Sequence, residues 1–251
     1  MLPIILSNCI HQRFNSGSKE DKPTAVDFYT VLSVLGNEGD VMNIIDEKES
    51  IYFYKDMMMY QLPVYSSVAT EYPDKVVPDH GANSTSFRYV VFRRKERDSV
   101  FSYSSLAGSR TGTVSVDSFL SNGFREFDKK FKETHKHQIL YSSRKNRDSI
   151  TEIYIPTSKL NESYSDTTFM YYRKDYNDVR YSLVPELDKQ KQMKLYKIIA
   201  LFKGNSQSNK PLIQESKQLR IEIVKKEVNN PEAITALFQQ FEKDYFSDSK
   251  R

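Results

Sequence analysis

Residues 51–62 read Ile-Tyr-Phe-Tyr-Lys-Asp-Met-Met-Met-Tyr-Gln-Leu, and this stretch decides the fold class. Two apolar, aromatic-rich runs lie on either side of a short polar pair, Lys55 and Asp56. Aromatic residues favour strands, and a two-residue polar connection is typical of a β-hairpin. The stretch therefore predicts two adjacent antiparallel strands.

The same pattern recurs along the chain on both sides of this hairpin. Residues 86–93 and 99–104 are rich in aromatic and β-branched side chains, and the charged residues 94–98 separate them. This arrangement predicts a second hairpin. Further strand-like segments lie at residues 111–116, 138–141, 150–155, 167–173, 179–183, 194–203 and 218–226.

Two segments have the period of a helix and not that of a strand. In residues 117–133, apolar side chains recur at spacings of three and four and share one face: Leu120, Phe124, Phe127 and Phe131. Near the end of the chain, Asn230 is a good capping residue and Pro231 suits the first helical turn. The apolar face of that second helix comprises Ile234, Leu237, Phe238, Phe241 and Tyr245. The chain is therefore predicted to be an α+β protein with an antiparallel sheet built from hairpins, on which a central and a C-terminal amphipathic helix pack.

Composition excludes several classes of protein. The 251 residues are 38% hydrophobic and 28% charged, which suits one globular domain and argues against disorder throughout. No apolar run approaches the roughly 18 residues that a membrane span requires. The net charge of +4 is too small to indicate a polycationic surface, and the single cysteine excludes a disulfide framework and Cys-rich zinc sites.

The single cysteine follows the most apolar short run in the chain. Leu6, Ser7, Asn8 and Cys9 have the order of a bacterial lipobox, in which the cysteine becomes the lipid-bearing first residue after cleavage. We therefore interpret residues 1–9 as a shortened lipoprotein signal, residues 10–25 as a flexible linker, and residues 26–251 as one α+β domain. In the alternative interpretation, Cys9 is an ordinary apolar residue of a buried strand or terminal tail.

Candidate catalytic and metal-binding residues each have a simpler structural interpretation. His135 and His137 could share a metal, but they follow a charged segment and suit a solvated helix end better. Asp79 and His80 could act as an acid–base pair, although they lie in a Pro-Asp-His-Gly turn. No phosphate loop, nucleophile elbow or zinc-protease motif is present. We therefore assign no catalytic residue, metal ligand or cofactor, and we leave the ligand-binding residues undefined.

Aromatic and basic residues are interleaved in the manner of single-stranded nucleic-acid binding proteins. They are Arg88-Tyr89 with Phe92-Arg93-Arg94-Lys95, and Tyr171-Tyr172-Arg173-Lys174. A sheet that buries aromatic residues on one face and solvates arginine on the other gives the same pattern, and nearby acidic residues interrupt the positive charge. Nucleic-acid binding is therefore the less favoured interpretation.

The residues quoted above also resemble those of a known group of proteins. The Leu-Ser-Asn-Cys9 start, the 51–56 stretch and the segment from Phe169 to Ile198 resemble envelope lipoproteins of Bacteroidetes-type bacteria, in the style of the GLPGLI group, whose naming motif this sequence lacks. The resemblance implies a strand-rich body at the periplasmic face of a membrane and an acylated Cys9.

Three hypotheses for the function follow. The first is a lipid-anchored envelope protein with a non-catalytic binding or structural role, whose Tyr-rich sheet surface meets a peptide, glycan or protein. The second is a cytosolic nucleic-acid-associated module of a mobile element. The third is a hydrolase with a site scattered along the sequence.

Overall fold

The structure is a computed structural model that describes residues 22–36, 41–64, 69–72, 75–78, 86–96, 99–121, 127–157, 165–203 and 216–248. Within these ranges, only the backbone is described for residues 69–72, 75–78, 128–130 and 134.

The described residues form thirteen strands, a 3₁₀ turn at Lys174–Tyr176 and four helices. The strands are β1 Thr24–Leu35, β2 Val41–Tyr54, β3 Met57–Val64, β4 Ala69–Tyr72, β5 Lys75–Pro78, β6 Ser86–Arg93, β7 Val100–Tyr103, β8 Arg110–Val114, β9 Gln138–Lys145, β10 Ser149–Pro156, β11 Thr167–Arg173, β12 Lys194–Phe202 and β13 Ser216–Lys226. The helices are α1 Val116–Ser121, α2 Phe127–His135, α3 Pro185–Lys191 and α4 Pro231–Asp248.

Eleven of the strands form one antiparallel sheet in the order β8-β7-β6-β3-β2-β1-β13-β12-β11-β10-β9, and β4 pairs with β5 separately. Neighbours in this order are mostly neighbours in sequence, as expected for a meander. There are two exceptions. One is the pairing of β3 with β6, between which β4 and β5 lie in sequence. The other is the central pair, in which β1 runs beside β13 from Ala25↔Lys226 to Leu35↔Ser216. This pairing joins the two halves of the sheet.

Both faces of the sheet carry a hydrophobic cluster, because alternate side chains of a strand point to opposite faces. We call the face that contains Val26, Phe28 and Ile223 the inner face. Its cluster extends from β7 to β10 and includes residues of α1, α2 and the segment before α3. We call the face that contains Ala25 and Tyr52 the outer face, and its cluster is formed with α4.

Helix α4 begins and packs as its sequence predicts. The Asn230 side-chain oxygen accepts a hydrogen bond from the Ala233 amide at 3.1 Å, which caps the first turn. The ring of Phe238 stacks on Tyr54, with 5.6 Å between their centroids. Phe241 meets Phe101 edge to face at 5.3 Å. The helix therefore covers the outer face over β2, β3, β6 and β7, and it leaves the other half of that face open.

The sheet is antiparallel and a C-terminal helix packs on it, as the sequence predicts, but two predicted elements differ. The single helix expected over residues 117–133 is represented by α1 and α2, with residues 122–126 outside the described part of the chain. The prediction of a strand at residues 179–183 is wrong. This segment crosses the inner cluster without strand pairing, and it still buries Val179, Tyr181 and Leu183 alternately. Alternation of apolar and polar residues indicates that one side of an extended segment is buried. A segment that lies over a core without strand pairing gives the same pattern as a strand.

The described helices contain none that is long and apolar enough to cross a lipid bilayer.

Candidate functional site

The open half of the outer face presents two rows of apolar side chains across four strands. In the first row, Ile153 on β10 pairs with Phe169 on β11, which pairs with Ile199 on β12. In the second row, Ile155 pairs with Ile139 on β9, and Thr167 pairs with Leu201. The Ile139 side chain is 51% exposed, and the other members are half-buried. We call this surface the open patch, defined by Ile139, Ile153, Ile155, Phe169, Ile199 and Leu201.

A charged stripe separates the open patch from α4. On this stripe, Lys197 and Arg220 each lie 3.7 Å from the Glu222 carboxylate, so one anion serves two cations. Arg144, opposite Thr151 at the edge of the sheet, adds a further exposed cation on the same face. The rim of the open patch therefore carries excess positive charge.

A buried ionic network holds the stripe together next to α4. The Asp27 carboxylate accepts hydrogen bonds from Lys48 at 2.8 Å and from Ser50 at 2.7 Å, and Lys226 lies 3.4 Å from it. Burial alone raises the pKa of Asp27, but these hydrogen bonds and the charge of Lys226 outweigh it and hold the pKa below its usual value. Asp27 is therefore ionised and neutralised, and it anchors the centre of the sheet.

A second buried ionic group lies on the inner face between β10 and α3. Glu152 is only 2% exposed. One of its carboxylate oxygens accepts a hydrogen bond from Lys191 on α3 at 2.5 Å, and the other accepts one from the Tyr154 hydroxyl at 2.9 Å. Burial and this hydrogen bond raise the pKa of Tyr154, so its hydroxyl stays protonated and donates. The group fastens α3 to the sheet.

Glu152 and Lys191 belong to no sequence motif, although one feature of the sequence points to Glu152. Glu152 has the same parity in its strand as Ile150 and Tyr154, and both of those side chains are buried. A carboxylate on the buried face of a strand requires a cation. Its partner could not be inferred, because Lys191 is 39 residues away and belongs to another element.

His135 lies beside this group at the end of α2. Its ring stacks on Phe131 with 5.0 Å between centroids and meets Tyr154 edge to face at 4.5 Å. Its Nδ1 is 3.3 Å from the Gln138 side-chain oxygen, and the Gln138 amide donates to Ser165 at 3.0 Å and to Thr168 at 2.8 Å. His135 lies at a helix end, as expected, but its ring is half-buried and not fully solvated, because aromatic residues of α2 and β10 pack against it.

Enclosure of His135 makes stability depend on pH. Burial lowers the pKa of His135, and this effect exceeds the opposing hydrogen bond to Gln138 and attraction of Glu152. As the pH falls, His135 therefore takes up a proton in the unfolded chain at a higher pH than it does in the folded chain. We expect the stabilisation to be complete above the unfolded value of about 6.5 and to be lost as the pH falls through the lower folded pKa.

The measurement is chemical unfolding of the wild type and of His135→Phe between neutral pH and mildly acidic pH. The wild type should lose more free energy of unfolding than the variant over this window, because phenylalanine retains the stacking and cannot titrate. Parallel pH profiles would contradict the assignment.

Cys9, Asp79 and His80 lie outside the described residues. Among the described residues, no group of three or more His, Cys, Asp or Glu side chains is arranged to hold a metal. In the first aromatic–basic run, Phe92 is buried on the inner face and Arg93 lies on the outer face, 3.3 Å from Asp56. That alternation is the one expected of a sheet with two different faces.

No protein-family model and no curated protein sequence matches this chain. Among solved structures, the chain is similar to a LolA superfamily protein from Nitrosomonas europaea, with 8% identity, 84% of this chain and 89% of that chain covered, and a TM-score of 0.18. It is also similar to a domain assigned as an outer membrane lipoprotein-sorting protein from Vibrio parahaemolyticus, with 8% identity, coverage of 85% and 91%, and a TM-score of 0.20. At TM-scores this low, the function has to be derived from the side chains on the sheet.

Proposed function

We propose that this protein is a lipid-anchored protein of the bacterial cell envelope with a non-catalytic binding role, and that it binds an amphipathic helix of a partner protein on the open patch. The observation that carries the binding role is the pair of apolar rows that no described helix covers. Contiguous apolar surface of this kind, rimmed by charge, is typical of protein-binding sites.

The neighbouring half of the same face supports a helix as the occupant. There, α4 lays an apolar stripe against the same kind of sheet surface, with Ile234, Leu237, Phe238 and Phe241 buried. Four strands span about 14 Å, and a helix with its side chains is about 10 Å wide, so the open patch accommodates one helix. Anchors at i, i+3, i+4 and i+7 would meet the two rows, as in other helix-in-groove complexes.

Charge and area favour a partner helix over a second copy of the chain. The excess of Lys197, Arg220 and Arg144 over Glu222 at the rim complements a helix with an acidic polar face. A stable dimer would bury about 800 Å² on each copy, which is far more than two short rows of side chains supply.

The address rests on the N-terminal sequence. The order Leu6-Ser7-Asn8-Cys9, followed by a polar segment and by a chain with no further cysteine, supports acylation of Cys9 and exposure at the periplasmic face of a membrane. The linker would then hold the open patch near other envelope proteins.

Peptide binding tests the proposal. The probe is a fluorescently labelled amphipathic peptide of roughly 18 residues, with leucine on one face and glutamate on the other, and the readout is fluorescence anisotropy. A Cys9→Ala chain should bind the probe with one-to-one stoichiometry. Replacing Phe169 and Ile199 with threonine should weaken binding about tenfold or more, because it removes two apolar anchors and keeps strand-forming residues.

The matched control is Val224→Thr, which changes an exposed apolar residue of the sheet outside the open patch and should leave binding unchanged. If the double variant binds the peptide as tightly as the Cys9→Ala chain does, the open patch is not the binding surface. In the same host, the wild-type chain should fractionate with membranes and the Cys9→Ala chain should not. If the wild-type chain does not sediment with the membranes, the proposed lipid anchor is wrong and the proposed binding role is unaffected.

A further inference from the structure

A second surface, separate from the open patch, concentrates positive charge where the β2–β3 turn meets the segment before α3. It is a depression of about 560 Å³, and its lining includes four cations, Arg94, Arg180, Lys189 and Lys194, and one carboxylate, Asp188. That carboxylate is already saturated. It accepts hydrogen bonds from Ser182 at 2.6 Å and from the Leu195 amide at 2.7 Å, and it pairs with Lys194 at 2.9 Å.

Both arginines at this surface are held by hydrogen bonds to backbone oxygens. The Arg94 guanidinium donates to the backbone oxygen of Arg180 at 3.3 Å, and the Arg180 guanidinium donates to the backbone oxygen of Lys55 at 3.1 Å. The Arg94 backbone amide also donates to the Asp56 backbone oxygen at 2.9 Å, which fixes the Arg94 backbone to the turn. Two cationic side chains from distant parts of the sequence are therefore positioned together before any ligand binds.

Among the described side chains, no carboxylate neutralises either guanidinium. The nearby Asp56 pairs with Arg93 instead. A guanidinium has five N–H donors. Arg94 and Arg180 each use one of them for a hydrogen bond to a backbone oxygen, so most of the N–H donors of both side chains remain available. Burial and the charge of Arg180 lower the pKa of Arg94, which means that its positive charge is held at a cost that an anion would relieve.

We propose that Arg94 and Arg180, assisted by Lys189, form a binding site for a phosphate group. The planar forks of two arginines suit an oxyanion that presents several acceptor atoms, and a tetrahedral dianion matches the uncompensated charge better than a single carboxylate does. Arg94 is exposed, and its Cζ lies 5.9 Å from the centre of the Phe53 ring, so one side of the guanidinium rests against the sheet while its N–H groups remain accessible to a ligand. The group can belong to free phosphate or to a phospholipid headgroup, and the chemistry of recognition is the same.

The test is equilibrium dialysis of radiolabelled inorganic phosphate against the Cys9→Ala chain at constant ionic strength. One phosphate should bind per chain, and the thermal unfolding midpoint should rise with phosphate relative to chloride. Arg94→Gln with Arg180→Gln should weaken binding more than about tenfold. Arg88→Gln, which removes an exposed arginine of β6 outside both proposed sites, should bind as the wild type does.

A companion variant, Arg94→Lys with Arg180→Lys, keeps both charges and removes the forks, so it tests the site even if the glutamine variant unfolds. It should bind phosphate several-fold more weakly than the wild type. Sedimentation with phosphatidic acid vesicles, compared with phosphatidylcholine vesicles, identifies the source. Arginine-dependent sedimentation assigns a lipid headgroup, and phosphate binding without it assigns free phosphate. No binding by the wild type at about 10 mM phosphate, or undiminished binding by both double variants, would overturn the site.

Discussion

Replacing Lys191 with methionine is expected to lower the free energy of unfolding by about 3 kcal/mol at neutral pH. The substitution removes the ammonium group that lies 2.5 Å from Glu152, and it leaves that carboxylate 2% exposed with only uncharged tyrosine hydroxyls, those of Tyr154 and Tyr172, as donors among the described residues. A buried carboxylate without a cation loses its hydration and receives little in return.

A matched control and a second substitution make this prediction specific. Lys189→Met changes an exposed lysine of the same helix and should cost less than about 0.5 kcal/mol. Adding Glu152→Gln to Lys191→Met should restore most of the loss, because glutamine is neutral and still accepts the Tyr154 hydroxyl. Urea unfolding measures all four chains, and equal losses for the two single lysine variants would refute a buried ion pair.

Replacing Phe238 with alanine is expected to cost about 3–4 kcal/mol, the range for removing a fully buried aromatic side chain. Phe238 has no exposed surface in the outer cluster and stacks on Tyr54. The cavity would lie beneath α4, where the helix is held to β2 and its neighbours. Partial detachment of α4 would expose the covered half of the outer face.

Phe246→Ala is the matched control, because this phenylalanine belongs to the same helix and is 56% exposed. It should cost less than about 1 kcal/mol. Thermal and urea unfolding report the stability, and an increase in binding of an apolar dye to the Phe238→Ala chain would report the exposed sheet. Similar costs for the two phenylalanines would show that α4 does not pack in the way described.

Some secondary-structure elements could be predicted from the sequence and others could not, for physical reasons. The predicted strand at residues 167–173 has the bounds of β11, because alternation and β-branched or aromatic residues agree there. The segment at residues 179–183 has the same alternation and forms no strand, since its backbone lies over the inner cluster and has no ladder partner among the described strands. The long strand β1 was not recognised as a single element, because it is buried on both faces and shows little alternation.

The candidate sites were less predictable than the elements that carry them. The open patch depends on which strands lie side by side, and Phe169 meets Ile153 and Ile199 only after β10, β11 and β12 have paired. The phosphate site depends on Arg94 and Arg180, which are 86 residues apart. Neither group forms a sequence motif, because each needs only proximity in space and places no constraint on spacing along the chain.

The sequence by itself determined the strand-rich α+β class, the antiparallel sheet and the position of α4, because strand alternation and helix caps act within a few residues of each other. Only the tertiary structure decided that β1 pairs with β13, that α4 covers one half of the outer face and leaves the other half open, and that Lys191 neutralises Glu152. Those outcomes depend on contacts between segments that are far apart in the sequence. Such contacts form only after β1 has paired with β13 and has brought the two halves of the sheet together.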